Sequence, residues 1–84
     1  MYRLQFTRQA VKALRKMPAN EAQLLRLKLD DLAREPFSAP NVKKLSGRPG
    51  YRMRMGDWRV IFEIHENARA VDVIKIAPRG GAYR

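Results

Sequence analysis

Apolar and polar residues alternate through residues 51–64 on both sides of Gly56-Asp57. A two-residue Gly-Asp link between alternating stretches is a β-hairpin signal, and so short a loop fixes the register. Met55 then faces Trp58, Arg54 faces Arg59, Met53 faces Val60, Arg52 faces Ile61 and Tyr51 faces Phe62. Successive side chains point to opposite sides of a strand. One face of the hairpin therefore carries Tyr51, Met53, Met55, Trp58, Val60, Phe62 and Ile64, and reads as core. The other carries Arg52, Arg54, Arg59, Ile61 and Glu63.

The same periodicities place the other elements. Tyr2, Leu4 and Phe6 alternate with Arg3 and Gln5, a first strand with one buried face. Thr7 suits a helix N-cap. Residues 8–17 follow with Ala10, Val11, Leu14 and Met17 on one helical stripe. Pro18 ends that helix. Asn20 with Gln23 three residues on forms a capping-box pattern, which predicts a second helix over 21–34 with Ala22, Leu25, Leu29 and Leu32 inward. The short link between the helices predicts an antiparallel helical hairpin. Residues 37–49, punctuated by Pro40, Gly47 and Pro49, read as a loop in which Leu45 tucks under the sheet edge. Residues 65–69 turn the chain, with Asn67 suited to a left-handed position. Residues 70–76 form the last strand, and Pro78 begins the tail. The expected fold is α+β, in the order β-α-α-β-β-β. A helical hairpin covers one face of a small, mostly antiparallel four-stranded sheet.

Length makes this a single domain over residues 1–84. With no cysteine there is no disulfide or thiolate metal site, and one histidine makes a histidine-built site improbable. No cofactor and no metal are expected, and His65 reads as a turn residue. No apolar run approaches the ~20 residues that span a membrane, and the first strand lacks the apolar centre of a signal peptide. A cytoplasmic protein is expected. Charge changes the picture most. Eighteen Lys and Arg stand against eight Asp and Glu, a formal charge of +10. That implies a polyanionic or acidic partner.

The arginines of the hairpin sharpen this. Arg54 and Arg59 are direct cross-strand neighbours, an arrangement that destabilises a sheet. A single arginine on a sheet face is often only its solvated side. Three on one hairpin face point to an anion in front of them. Lys43, Lys44 and Arg48 add charge beside it and are candidate RNA contacts. No Ser/His/Asp set, carboxylate pair or Gly-rich phosphate loop is present. Arginines with a tyrosine near the C-terminus are still enough to cleave RNA, because the ribose 2′-hydroxyl supplies the nucleophile. The protein needs only to position the phosphate and stabilise its developing charge. Arginine is no general base, since it does not deprotonate in proteins.

Lys44-Leu45-Ser46-Gly47, the run from Tyr51 to Phe62, and the late Arg79 and Tyr83 resemble the RelE/ParE toxin superfamily, in its RelE branch. The likeness covers essentially the whole chain. It implies a toxin of a type II toxin–antitoxin system that cuts mRNA on the ribosome and is held inactive by a cognate acidic antitoxin. It implies catalytic roles for Arg52, Arg54, Arg59, Arg79 and Tyr83. Arg59 matches the arginine that contacts the scissile phosphate. Arg79 matches the basic residue after the last strand, and Tyr83 the tyrosine that stacks on a base. The best-known members have lysines, assigned to proton transfer, where this chain has Arg52 and Arg54. Tyr83 is then a candidate base, since neighbouring guanidinium groups favour a phenolate. The rival within the same fold is a ParE-type inhibitor of DNA gyrase with no RNase activity. An inactive toxin that only binds its antitoxin is a third reading.

Overall fold

The computed structural model describes residues 1–78. The elements are β1 (Arg3–Phe6), α1 (Arg8–Lys16), α2 (Ala19–Arg34), β2 (Val42–Lys44), β3 (Tyr51–Met55), β4 (Trp58–His65) and β5 (Ala70–Pro78). They form one five-stranded sheet in the order β1-β5-β4-β3-β2, with the helices on one face. β1 runs parallel to β5, and every other pairing is antiparallel.

The expected class and element order hold, with one correction. The sheet has five strands rather than four, because residues 42–44 inside the expected loop pair with β3. Three residues are too few for alternation to register, and the segment starts from Asn41 in a left-handed conformation (φ 62°). Two local signals also moved. Helix α2 begins at Ala19 with Pro18 at its cap and no capping side chain, so Asn20 is not the cap. Proline suits the start of a helix because the missing N–H would have no helical partner there. In the turn after β4 the left-handed residue is Arg69 (φ 52°), not Asn67. Its carbonyl accepts from Arg3 N–H, and its guanidinium lies 5.0 Å from the centre of the Tyr2 ring, contacts that hold it there.

The hairpin has the expected register at all five pairs, from Met55↔Trp58 to Tyr51↔Phe62. Gly56 supplies the positive φ (57°) that the first turn position takes. Met53, Met55, Val60 and Phe62 are buried under the helices with Leu25, Leu29, Leu32, Val71, Val73 and Ile76. The Tyr51 and Phe62 rings stack at 5.6 Å across the pair. Thr7 caps α1, its hydroxyl accepting from Ala10 N–H.

Strand β5 outruns β1, whose pairing ends at Phe6↔Val73. Gln9 in the first turn of α1 continues the edge. Its side-chain amide donates to the Ile76 carbonyl at 2.9 Å and accepts from Ile76 N–H at 3.0 Å. A side chain thus stands in for two strand hydrogen bonds. Trp58 Nε1 donates to Glu21 at 3.2 Å and ties the start of α2 to β4. Among the described residues no helix is long and apolar enough to cross a membrane.

Candidate functional site

The face opposite the helices is built by register alone. Residues directly opposite on neighbouring strands share a face, with Cβ atoms about 5 Å apart. One row across the sheet reads Lys43, Arg52, Ile61, Lys75, from β2 to β5. The next reads Arg54, Arg59, Ala77, with the Asn41 carbonyl accepting from Arg54 N–H at the β2 side. Neither row contains an acid. Beyond the first row come Glu63 and Asp72, which face each other.

The predicted residues are not equivalent within this frame. Arg54 is exposed and Arg52 half-buried. With Asn41, Val42 and Lys43 they line an open cleft of about 390 Å³ at the β2 side of the sheet. Arg59 is half-buried, and its Nε and Nη1 atoms are shielded from solvent. Register places Arg59 opposite Ala77, which with Ile61 and Leu45 forms a buried apolar floor on this face, with Ile74 against it. Leu45 is therefore buried as expected, on the arginine face of the sheet. A guanidinium partly shielded from solvent presents charge in a weakened dielectric, where it acts more strongly on an anion than in water.

Lys43 lies opposite Arg52 and joins the basic row. Lys44 lies opposite Tyr51, so alternation sends it to the helix side of the edge, away from the arginines. Arg48 is exposed in the link between β2 and β3. Arg79 and Tyr83 lie outside the described residues.

Two groups on this face were missed from the sequence. Asn41 enters through the unrecognised strand β2. Lys75 enters through a β-bulge. The β4–β5 register steps from Ile61↔Lys75 to Phe62↔Val73, which leaves Ile74 as an extra residue on β5. Val71, Val73 and Ile76 all point into the core as a result, and Lys75 is turned to the arginine face. A signal was present: apolar alternation in 70–76 changes phase between Val73 and Ile74, as an inserted residue makes it do.

His65 ends strand β4 rather than opening the turn. Its Nε2 lies 3.1 Å from an Asp72 carboxylate oxygen and 3.4 Å from Glu63. It sits between two carboxylates that register places opposite each other. Among the described residues no group of three or more His, Cys, Asp or Glu is arranged to hold a metal ion.

Residues 4–83 match the family model described as the ParE toxin of type II toxin–antitoxin systems, parDE. The chain belongs to the RelE/ParE toxin superfamily. It is a toxin of a type II toxin–antitoxin system with the RelE/ParE fold. Among solved structures it is similar to the archaeal RelE–RelB complex of Pyrococcus horikoshii OT3, at 34% identity and TM-score 0.82, over 96% of this chain and 98% of that one. It is similar to the intact E. coli RelBE toxin–antitoxin complex, at 26% identity and TM-score 0.80, over 93% and 96%. The Mycobacterium tuberculosis RelBE2 toxin–antitoxin complex matches at 25% identity and TM-score 0.78, over 93% and 98%. No curated protein sequence matches the chain. Within the RelE/ParE superfamily, this member sets its basic side chains in two rows across four strands of the sheet.

Proposed function

We propose that this toxin is a ribosome-dependent endoribonuclease that cleaves mRNA by attack of a ribose 2′-hydroxyl on the adjacent phosphate. The observation that carries the reading is the direct Arg54↔Arg59 pairing on a face whose two central rows hold no acid. Like charges in that position cost stability, and a phosphodiester between them removes the cost. As the 2′-oxygen attacks, charge builds on the non-bridging oxygens. Arg59 stabilises that charge from its apolar floor, and Arg54 and Arg52 hold the phosphate and its neighbour. Lys43 extends the track towards the β2 edge, and Arg48 adds a looser contact, while Lys44 stands on the other side of that edge. Arg79 adds a further phosphate contact, and Tyr83 stacks on a base to orient the nucleotide. No metal or cofactor enters.

The partner that restrains it is an acidic antitoxin, as the RelE–RelB assemblies among its structural relatives suggest. A chain of charge +10 suits a disordered acidic segment that folds on contact. The toxin works in the cytoplasm, where its ribosome and mRNA are.

A second reading has its own observation: the matching family model is that of the ParE toxins. Under it the same fold poisons DNA gyrase and leaves mRNA intact. Expression alone in a bacterial host separates the two. The endoribonuclease gives new mRNA 5′ ends by primer extension within the reading frame, and no gyrase-linked DNA breaks. Breaks without mRNA cleavage overturn the proposal in favour of the gyrase reading. Antitoxin co-expression should suppress either outcome.

A further inference from the structure

Cleavage by the 2′-hydroxyl needs more than charge stabilisation. The 5′-oxygen of the next nucleotide must leave, and as an alkoxide it leaves poorly unless it receives a proton. Arg52, Arg54 and Arg59 cannot supply one, because a guanidinium does not give up its proton in a protein. The two basic rows contain two side chains that can. One is Lys43, exposed at the β2 edge and separated from Arg59 by strand β3. The other is Lys75.

The position of Lys75 is the product of a specific device. Unbroken alternation from Val71 and Val73 would send residue 75 into the core. The extra residue at Ile74 reverses the phase, so that Lys75 pairs with Ile61 while Ile76 is buried. Bulges recur beside active sites because they re-aim a single side chain in this way. Lys75 sits on the strand next to Arg59, two positions from Ala77, its opposite number. Diagonal neighbours of this kind are about 7–8 Å apart at Cα, within the reach of a lysine and an arginine converging on one ligand. Lys75 is half-buried, with Ile61 beside it and Asp72 and Glu63 on the same face beyond. Arg59 and Lys75 thus flank the apolar floor on β4 and β5, one a fixed cation and the other a cation that can release a proton.

We infer that Lys75 is the general acid of the cleavage, an assignment that rests on the endoribonuclease reading. The 2′-oxygen forms a bond to phosphorus and its proton passes to water. The bond from phosphorus to the 5′-oxygen breaks, and that oxygen takes a proton from Lys75 Nζ. The products are a 2′,3′-cyclic phosphate and a free 5′-hydroxyl. Lys75 regains its proton from solvent.

The test uses the full-length toxin, programmed ribosomes and two synthetic mRNAs. One has an ordinary scissile linkage. The other has sulfur in place of the bridging 5′-oxygen, and a thiolate leaves without being protonated. Lys75→Arg keeps the charge and removes the transferable proton. Single-turnover cleavage of the ordinary mRNA by Lys75→Arg should fall ~10²–10⁴-fold, the usual contribution of a general acid. Cleavage of the sulfur-containing mRNA should match the parent toxin. Arg59→Ala, which removes charge stabilisation, should be slow on both. Equal slowing of Lys75→Arg on both substrates would mean a structural or electrostatic role and would overturn the assignment. So would parental rates on the ordinary mRNA, and in that case the endoribonuclease reading would stand without Lys75. A parent toxin that cuts neither mRNA would remove both.

Discussion

On the endoribonuclease proposal, Arg59 concentrates the chemistry of the site in one side chain. It faces Arg54 across the hairpin, and two of its nitrogens are shielded from water. Arg59→Ala should abolish growth arrest. It also relieves a like-charge pair, so thermal unfolding should stay within a few degrees of the parent. Arg59→Lys keeps the charge and removes the planar fork that the proposed two-pronged grip on phosphate requires. It should remain impaired, and toxicity at matched expression checks both. His65 offers a contrasting residue-scale case. Register places Glu63 opposite Asp72, and His65 bridges them at 3.4 and 3.1 Å. All three are partly exposed, which limits the bridge to roughly 1 kcal/mol or less. His65→Ala should lower the melting temperature by only a few degrees and leave toxicity unchanged. A loss of toxicity would show that the acidic end of the face also takes part in function.

At the scale of elements, α1 holds the sheet by more than packing. The paired hydrogen bonds between Gln9 and Ile76 complete β5 where β1 has ended. Gln9→Ala leaves a part-buried N–H and carbonyl without partners, at about 1–3 kcal/mol. For a domain of this size that is a fall in melting temperature of at least ~4 °C. Scanning calorimetry reads it directly, and an unchanged melting temperature would mean that water replaces the amide. Gly50 is a second element-scale constraint. Its φ of 107° belongs to glycine, and a Cβ there would lie 3.0 Å from the Phe62 carbonyl oxygen. Gly50→Ala should misplace the β2–β3 link and lower stability by more than ~1 kcal/mol. What the sequence disclosed at this scale followed strength of pattern. The hairpin was legible to the residue, because a two-residue loop leaves no freedom in pairing. Strand β2 was not, because three residues show no period. Lys75 was hidden for a different reason. A bulge inserts one residue into a two-residue repeat, and alternation read past it assigns the wrong face.

The whole molecule carries +10, and charge decides how it meets its partners. Each lysine or arginine on a phosphate releases counterions, so affinity for a single-stranded RNA should fall steeply as salt rises. The slope of log K against log salt is about −0.7 per contact. Lys43→Ala and Arg54→Ala should each flatten it by about one contact, measured by titration of a 2′-deoxy-substituted, uncleavable RNA. Lys44→Ala, on the other side of the β2 edge, should change it less. An affinity that ignores salt would contradict a phosphate-binding face. The fold itself was visible in the sequence as one helical layer on one sheet. The parallel closure of that sheet was not visible, since no short-range pattern reports which distant strand lies beside β1.

That closure governs when the toxin comes into being. β1 pairs with β5 at a sequence separation of 67, and Thr7 and Gln9 reach the same strand over the same separation. β5 also lies between β1 and β4, so β1 has no strand to pair with until β5 is made. During synthesis the helices and the arginine-bearing hairpin emerge before β5, and their shared core still lacks Val71, Val73 and Ile76. Contacts this distant in sequence form late and slowly. A nascent chain that stops short of Ala70 holds Arg52, Arg54 and Arg59 and yet has no stable platform to present them. Translation of this chain is nearly complete before a folded toxin exists.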